Sequence, residues 1–88
     1  SAEVSGCHIG DLLSVVMSRA KKGDAWITVQ GNVNVVAVAS LNECAMVIIC
    51  EGMQLDEAAK KRSETEGICI FSSEKSAYEL AVALHECL

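Results

Sequence analysis

The apolar runs of this 88-residue chain are too short to be helices, and they end alike. Ile27-Thr28-Val29 stops at Gln30-Gly31-Asn32. Met46-Val47-Ile48-Ile49 stops at Cys50-Glu51-Gly52, and Ile68-Cys69-Ile70-Phe71 at Ser72-Ser73. Near the start, Val4-Ser5-Gly6-Cys7-His8 behaves similarly. Short runs rich in β-branched residues and bounded by turn residues read as strands. At least the last three endings precede a helix start, so the pattern is a mainly parallel sheet of four strands. The carboxyl ends of such strands share one edge, where open α/β sheets bind ligands. The candidate binding residues are therefore Gly6, Cys7, His8, Gln30, Gly31, Asn32, Cys50, Glu51, Gly52, Ser72 and Ser73.

Three helices are readable from periodicity. Leu12, Leu13, Val16, Met17 and Ala20 form one stripe, with Asp11 placed to cap its start. Lys21-Lys22-Gly23 supplies a stop, with cations in the last turn and glycine behind them. Leu55, Ala58, Ala59 and Arg62 share a second stripe, with Asp56 and Glu57 in the first turn and Gly67 at the end. Ala77, Leu80, Ala81, Leu84 and Leu88 form the third, with Ser73 or Ser76 as cap. Trp26 to Gln30 reads as a strand, and Ile68 to Phe71 as a fully buried one.

A chain this short buries only roughly 60–65% of its unfolded surface, so one small domain over residues 1–88 is expected. Hydrophobic residues make up 51% of it, while Trp26, Phe71 and Tyr78 are the only aromatics, so the core must be aliphatic. Dimerisation would help such a domain, and Ala37, Tyr78 and Val82 lie off the main stripes as a possible dimer face. A net charge of −5 argues against nucleic-acid binding. The basic run Lys60-Lys61-Arg62 is balanced by Asp56, Glu57, Glu64 and Glu66, and reads as a solvated helix face. No apolar stretch approaches the ~20 residues of a membrane span, and no secretory signal is visible. Ser1-Ala2 is compatible with a tag remnant on a truncated start. Cys7, Cys44, Cys50, Cys69 and Cys87 are odd in number and lack a Cys-x-x-Cys, which favours reduced thiols and a cytoplasmic location.

Asn32 to Glu43 is ambiguous. Val33, Val35, Val36 and Val38 favour a strand, and Gly31-Asn32 would serve as a hairpin turn. The alternative is a helix capped by Asn32, with Val35, Val38, Ala39 and Asn42 along one face. These residues alone leave both open.

The chain as a whole resembles a DRTGG domain in its small stand-alone form. The resemblance rests on Val4-Ser5-Gly6 leading into Gly10–Met17, on Gly23-Asp24-Ala25-Trp26-Ile27-Thr28-Val29-Gln30, on Asn34–Leu41, and on Ser76–Ala81. Stand-alone forms resemble the N-terminal domain of HPr serine kinase. The resemblance implies a small α/β layered sandwich with about four helices, a tendency to dimerise, and a helix over the ambiguous segment. Related domains sit beside CBS pairs in regulated enzymes, and similar stand-alone forms are associated with anaerobic iron-hydrogenase systems. The family's Asp-Arg pair is absent: that region reads Gln30-Gly31-Asn32-Val33, and the Thr-Gly-Gly region reads Cys50-Glu51-Gly52. No G-x-x-x-x-G-K-[ST] loop is present, so nothing here cradles ATP phosphates in the manner of a kinase.

The chemistry-bearing residues form no catalytic set. His8 with Asp11 lacks a third group and an oxyanion device. Cys7-His8 and Cys50-Glu51 are chemically suited to zinc or iron, but their spacing is irregular, and Cys44 and Cys69 are expected in the core. A helix N-terminus would lower the Cys50 thiol pKa, while Glu51 opposes this. His85 is expected on the surface. Glycine, serine and asparagine at strand ends suit a small anion at helix N-termini, and equally suit plain capping. The expectation is a non-enzymatic regulatory or ligand-sensing module without metal or cofactor, binding a small anionic metabolite or nucleotide at the strand carboxyl ends as a homodimer. The alternative is an interaction adaptor for a redox enzyme such as an iron hydrogenase, with a Cys/His metal site behind it.

Overall fold

The computed structural model describes residues 3–88; Ser1-Ala2, read above as a tag remnant, lies outside the described residues. Strands and helices alternate: β1 (Gly6–Ile9), α1 (Leu13–Arg19), β2 (Asp24–Thr28), α2 (Val33–Leu41), β3 (Met46–Ile49), α3 (Glu57–Glu66), β4 (Ile70–Ser72) and α4 (Ala77–Cys87). The four strands form one parallel sheet in the order β1-β2-β3-β4. The expected α/β class is therefore present.

The sequential order fixes the layers. Right-handed crossovers between consecutive parallel strands place their helices on one face. The first core cluster joins Val16 of α1, Val35, Val38 and Ala39 of α2, and Trp26, Val47 and Ile49 of the sheet. Helix α3 follows on the same face, with Ala59 fully buried. Helix α4 lies on the other side of the sheet. Its Ala77, Leu80, Ala81 and Leu84 pack on Ile27, Ile48 and Cys50 from the opposite face.

The ambiguous segment is helix α2. The Asn32 side chain accepts from Asn34 N–H at 3.0 Å, supplying the cap, and Val35, Val36, Val38 and Ala39 are all buried. Burial of that many aliphatic side chains, about 1.5–3 kcal/mol for a full-sized one, outweighs their mild preference for strand. Helix α4 starts at Ser76, which forms a capping box with Glu79.

Several expectations need correction. Asp11 does not cap α1. The cap position is Leu12, and the Asp11 carboxylate instead accepts from Thr28 Oγ1 at 2.9 Å and Val29 N–H at 3.0 Å. Leu12 and Met17 are exposed, leaving Val16 as the buried residue of α1. Strand β4 is an edge strand. Phe71 is 42% exposed and Cys69 lies at the surface, because only the inner side of this strand is paired. Ala37 sits on α2, across the sheet from Tyr78 and Val82, so the three share no face.

Candidate functional site

The strand carboxyl ends gather Gln30, Gly31, Asn32, Cys50, Glu51, Gly52, Ser72 and Ser73 along one edge. Gly6, Cys7 and His8 are not part of it. They lie within β1, with Gly6 opposite Asp24 at the amino end of β2. The carboxyl terminus of β1 is instead Gly10-Asp11, because the strand starts two residues later than the apolar run suggests.

Many of the backbone groups along this edge, and the Gln30, Asn32 and Ser73 side chains, are already hydrogen-bonded within the chain. The Gln30 side chain donates to Asp11 O and accepts from Asn32 Nδ2 at 3.2 Å. Asp56 N–H donates to Gly31 O at 2.8 Å. Glu51 and Gly52 both adopt positive φ, 60° and 69°, forming a tight turn after β3. Their N–H groups donate to Lys75 O at 2.8 Å and Ser73 O at 2.9 Å, while Ser73 N–H reaches Ile49 O at 2.8 Å. Gly31 permits a close backbone approach, and the approaching group is the Gln54 carbonyl. The sheet also has no reversal of strand order, hence no crevice of the kind that forms where connections diverge to opposite faces.

The cysteines and histidines do not converge. Cys7 and Cys50 are separated by β2, and among the described residues no group of three or more His, Cys, Asp or Glu is placed to hold a metal. Cys44 and Cys50 are buried, while Cys7, Cys69 and Cys87 are exposed. Burial, reinforced by Asp24, pushes the Cys44 thiol up to about 11. Burial also raises Cys50, with Glu51 and Asp11 adding to it and a backbone hydrogen bond opposing. Neither is a thiolate at neutral pH. His8 faces α1 with Nε2 buried and without a partner, and Asp11 is committed to β2. His85 is exposed, as expected.

The feature missed from sequence lies along β1. Ten large hydrophobic side chains are exposed among the described residues, and six of them flank this strand. Ile9 is 52% exposed. Tyr78 and Val82 lie on the flank of α4 that carries His85, and Leu88 follows. Leu12 and Val15 occupy the outer side of α1. Two open cavities adjoin the strand. One, of about 480 Å³, runs between Cys7–Ile9 and the α4 residues Ala81, His85 and Leu88. The other, of about 500 Å³, lies beside Ser5–His8 and carries Arg19, Lys21 and Lys22. The signal was present in Tyr78 and Val82, which fall off the inward stripe, but periodicity cannot show that one flank overhangs an open strand.

No helix among the described residues is long and apolar enough to cross a membrane. No family model, curated protein or solved structure matches the chain.

Proposed function

We propose that this chain is a non-catalytic accessory module, acting by protein contact through the surface around β1 rather than by small-ligand binding at the strand carboxyl ends. One contrast carries the reading: the carboxyl edge bonds much of its backbone and the Gln30 and Asn32 side chains internally, whereas exposed large apolar side chains concentrate beside β1, whose outer edge has no paired strand among the described residues. Tyr78, Val82 and Leu88 flank the strand on one face of the sheet, and Leu12 and Val15 on the other. The resemblance to DRTGG domains, which accompany regulated enzymes, supports an accessory role, including the cytoplasmic, hydrogenase-associated setting of similar stand-alone forms.

Thermal unfolding with millimolar inorganic phosphate, ATP, AMP and acetyl phosphate tests it. A ligand at about 100 times its Kd adds about 2.7 kcal/mol, and a domain of this size shifts by about 4–8 °C per kcal/mol. The expected result is no shift beyond about 1 °C, an effect corresponding to well under 1 kcal/mol. A shift approaching 10 °C on that same scale, abolished by substitution at Asn32 or Ser73, would return the function to the carboxyl edge.

A further inference from the structure

We infer that the outer edge of β1 pairs antiparallel with β1 of a second copy of this chain, joining two four-stranded sheets into one of eight strands. This rests on the protein-contact reading above and names the contact.

The hydrogen-bond phase shows which backbone groups are free. Gly10 N–H donates to Ile27 O at 3.2 Å, while Ala45 N–H donates to Asp24 O and Cys50 N–H to Thr28 O. Odd residues of β2 thus bond toward β1 and even ones toward β3. With His8 opposite Trp26 and Ile9 opposite Ile27, even residues of β1 bond inward. The N–H and C=O groups of Cys7 and Ile9 therefore point out of the sheet. The edge sequence Gly6-Cys7-His8-Ile9 holds no proline and no acidic, lysine or arginine side chain, the devices that normally protect a free edge.

A twofold axis through His8 sets Cys7 against the partner's Ile9 and Ile9 against the partner's Cys7. Both are hydrogen-bonded antiparallel pairs, so four backbone bonds close the junction. Both copies of α4 then lie on one face, with the Tyr78 and Val82 flank turned to the seam. Both copies of α1 lie on the other. The other open edge, β4, is three residues long and offers Phe71 alone.

Solution mass by light scattering from low micromolar to near-millimolar protein tests the association, and cross-linking tests the register. The expected mass is twice 9.3 kDa at high concentration. Ile9→Lys and Tyr78→Asp, both at exposed positions, should each weaken association about tenfold or more with unchanged circular dichroism. In a Cys69→Ser, Cys87→Ser background, Ile9→Cys should form a Cys7-to-position-9 disulfide between chains under copper–phenanthroline, since such pairs lie about 5.5 Å apart at Cα. A monomer at every concentration would overturn the inference. So would a dimer unmoved by both variants, or a Cys7–Cys7 cross-link in the same background carrying native Ile9. The nucleotide and phosphate shifts above are independent of these outcomes, so a monomer that binds no anion overturns the pairing alone.

Discussion

Gly31→Ala separates a carboxyl edge closed by its own backbone from one held open for a ligand. Gly31 does not use a left-handed conformation, so alanine costs nothing in φ and would stabilise by about 0.4–1 kcal/mol through the unfolded chain. Packing dictates the opposite sign. A Cβ there overlaps the Gln54 carbonyl oxygen and comes within 3.0 Å of Gln54 C and Leu55 Cα. These are backbone atoms, so the segment leading into α3 has to move. Overpacking of this kind costs about 1–3 kcal/mol. Movement also weakens the 2.8 Å bond from Asp56 N–H to Gly31 O, worth about 1 kcal/mol. Set against the entropic gain, the net loss is about 2 kcal/mol. Urea unfolding followed by the fluorescence of Trp26, the single and fully buried tryptophan, reads this directly. With a slope of about 1 kcal/mol per molar urea, the midpoint falls by about 2 M and the slope stays unchanged. A variant equal to or more stable than the parent would refute the closed edge.

Three further substitutions probe the same framework. Glu51 holds φ 60°, which costs a non-glycine residue about 1–2 kcal/mol, so Glu51→Asn should stabilise by about 0.5–1 kcal/mol; calorimetry showing a loss would contradict this. Asn42 Nδ2 donates to the carbonyls of Met17 at 2.9 Å and Ala20 at 3.0 Å, ending α1, and Asn42→Ala should cost about 1–2 kcal/mol by chemical denaturation. The Cys44 thiol is raised to about 11, so the folded state holds its proton longer than the unfolded chain does. Its contribution is complete below the unfolded value near 8.5 and is lost as pH rises toward 11, on the order of 2 kcal/mol; Cys44→Ala should flatten that decline.

Most of the element order was legible because each strand is a short apolar run bounded by glycine or polar residues, and because Ser76 and Gly67 mark helix ends chemically; Asn32–Glu43 was not, since Gly31-Asn32 suits a hairpin turn as well as a helix start. Strand β3 fell where Met46–Ile49 predicted. The burial of β4 was not legible: a run such as Ile68–Phe71 looks the same in the middle of a sheet as at its edge, and strand order is a long-range property. The same limit governed the site. The carboxyl edge was found from its turn residues, yet turn chemistry and ligand chemistry use the same side chains, and only the three-dimensional bonding of Glu51, Gly52 and Ser73 distinguishes them. Asp11 read as a local cap, but a partner seventeen residues away, Thr28, claimed its carboxylate. The β1 surface was invisible because its residues come from both ends of the chain, Ile9 and Leu12 from one and Tyr78, Val82 and Leu88 from the other.

Amide hydrogen exchange along β1 tests the working surface most directly. The amide of His8 bonds inward to β2 and should be protected at any concentration, serving as an internal reference. The amides of Cys7 and Ile9 face outward. They should be protected at high protein concentration and should lose that protection on dilution or with Tyr78→Asp. Exchange of Cys7 and Ile9 at unprotected rates across the whole concentration range, with His8 protected throughout, would contradict a paired edge.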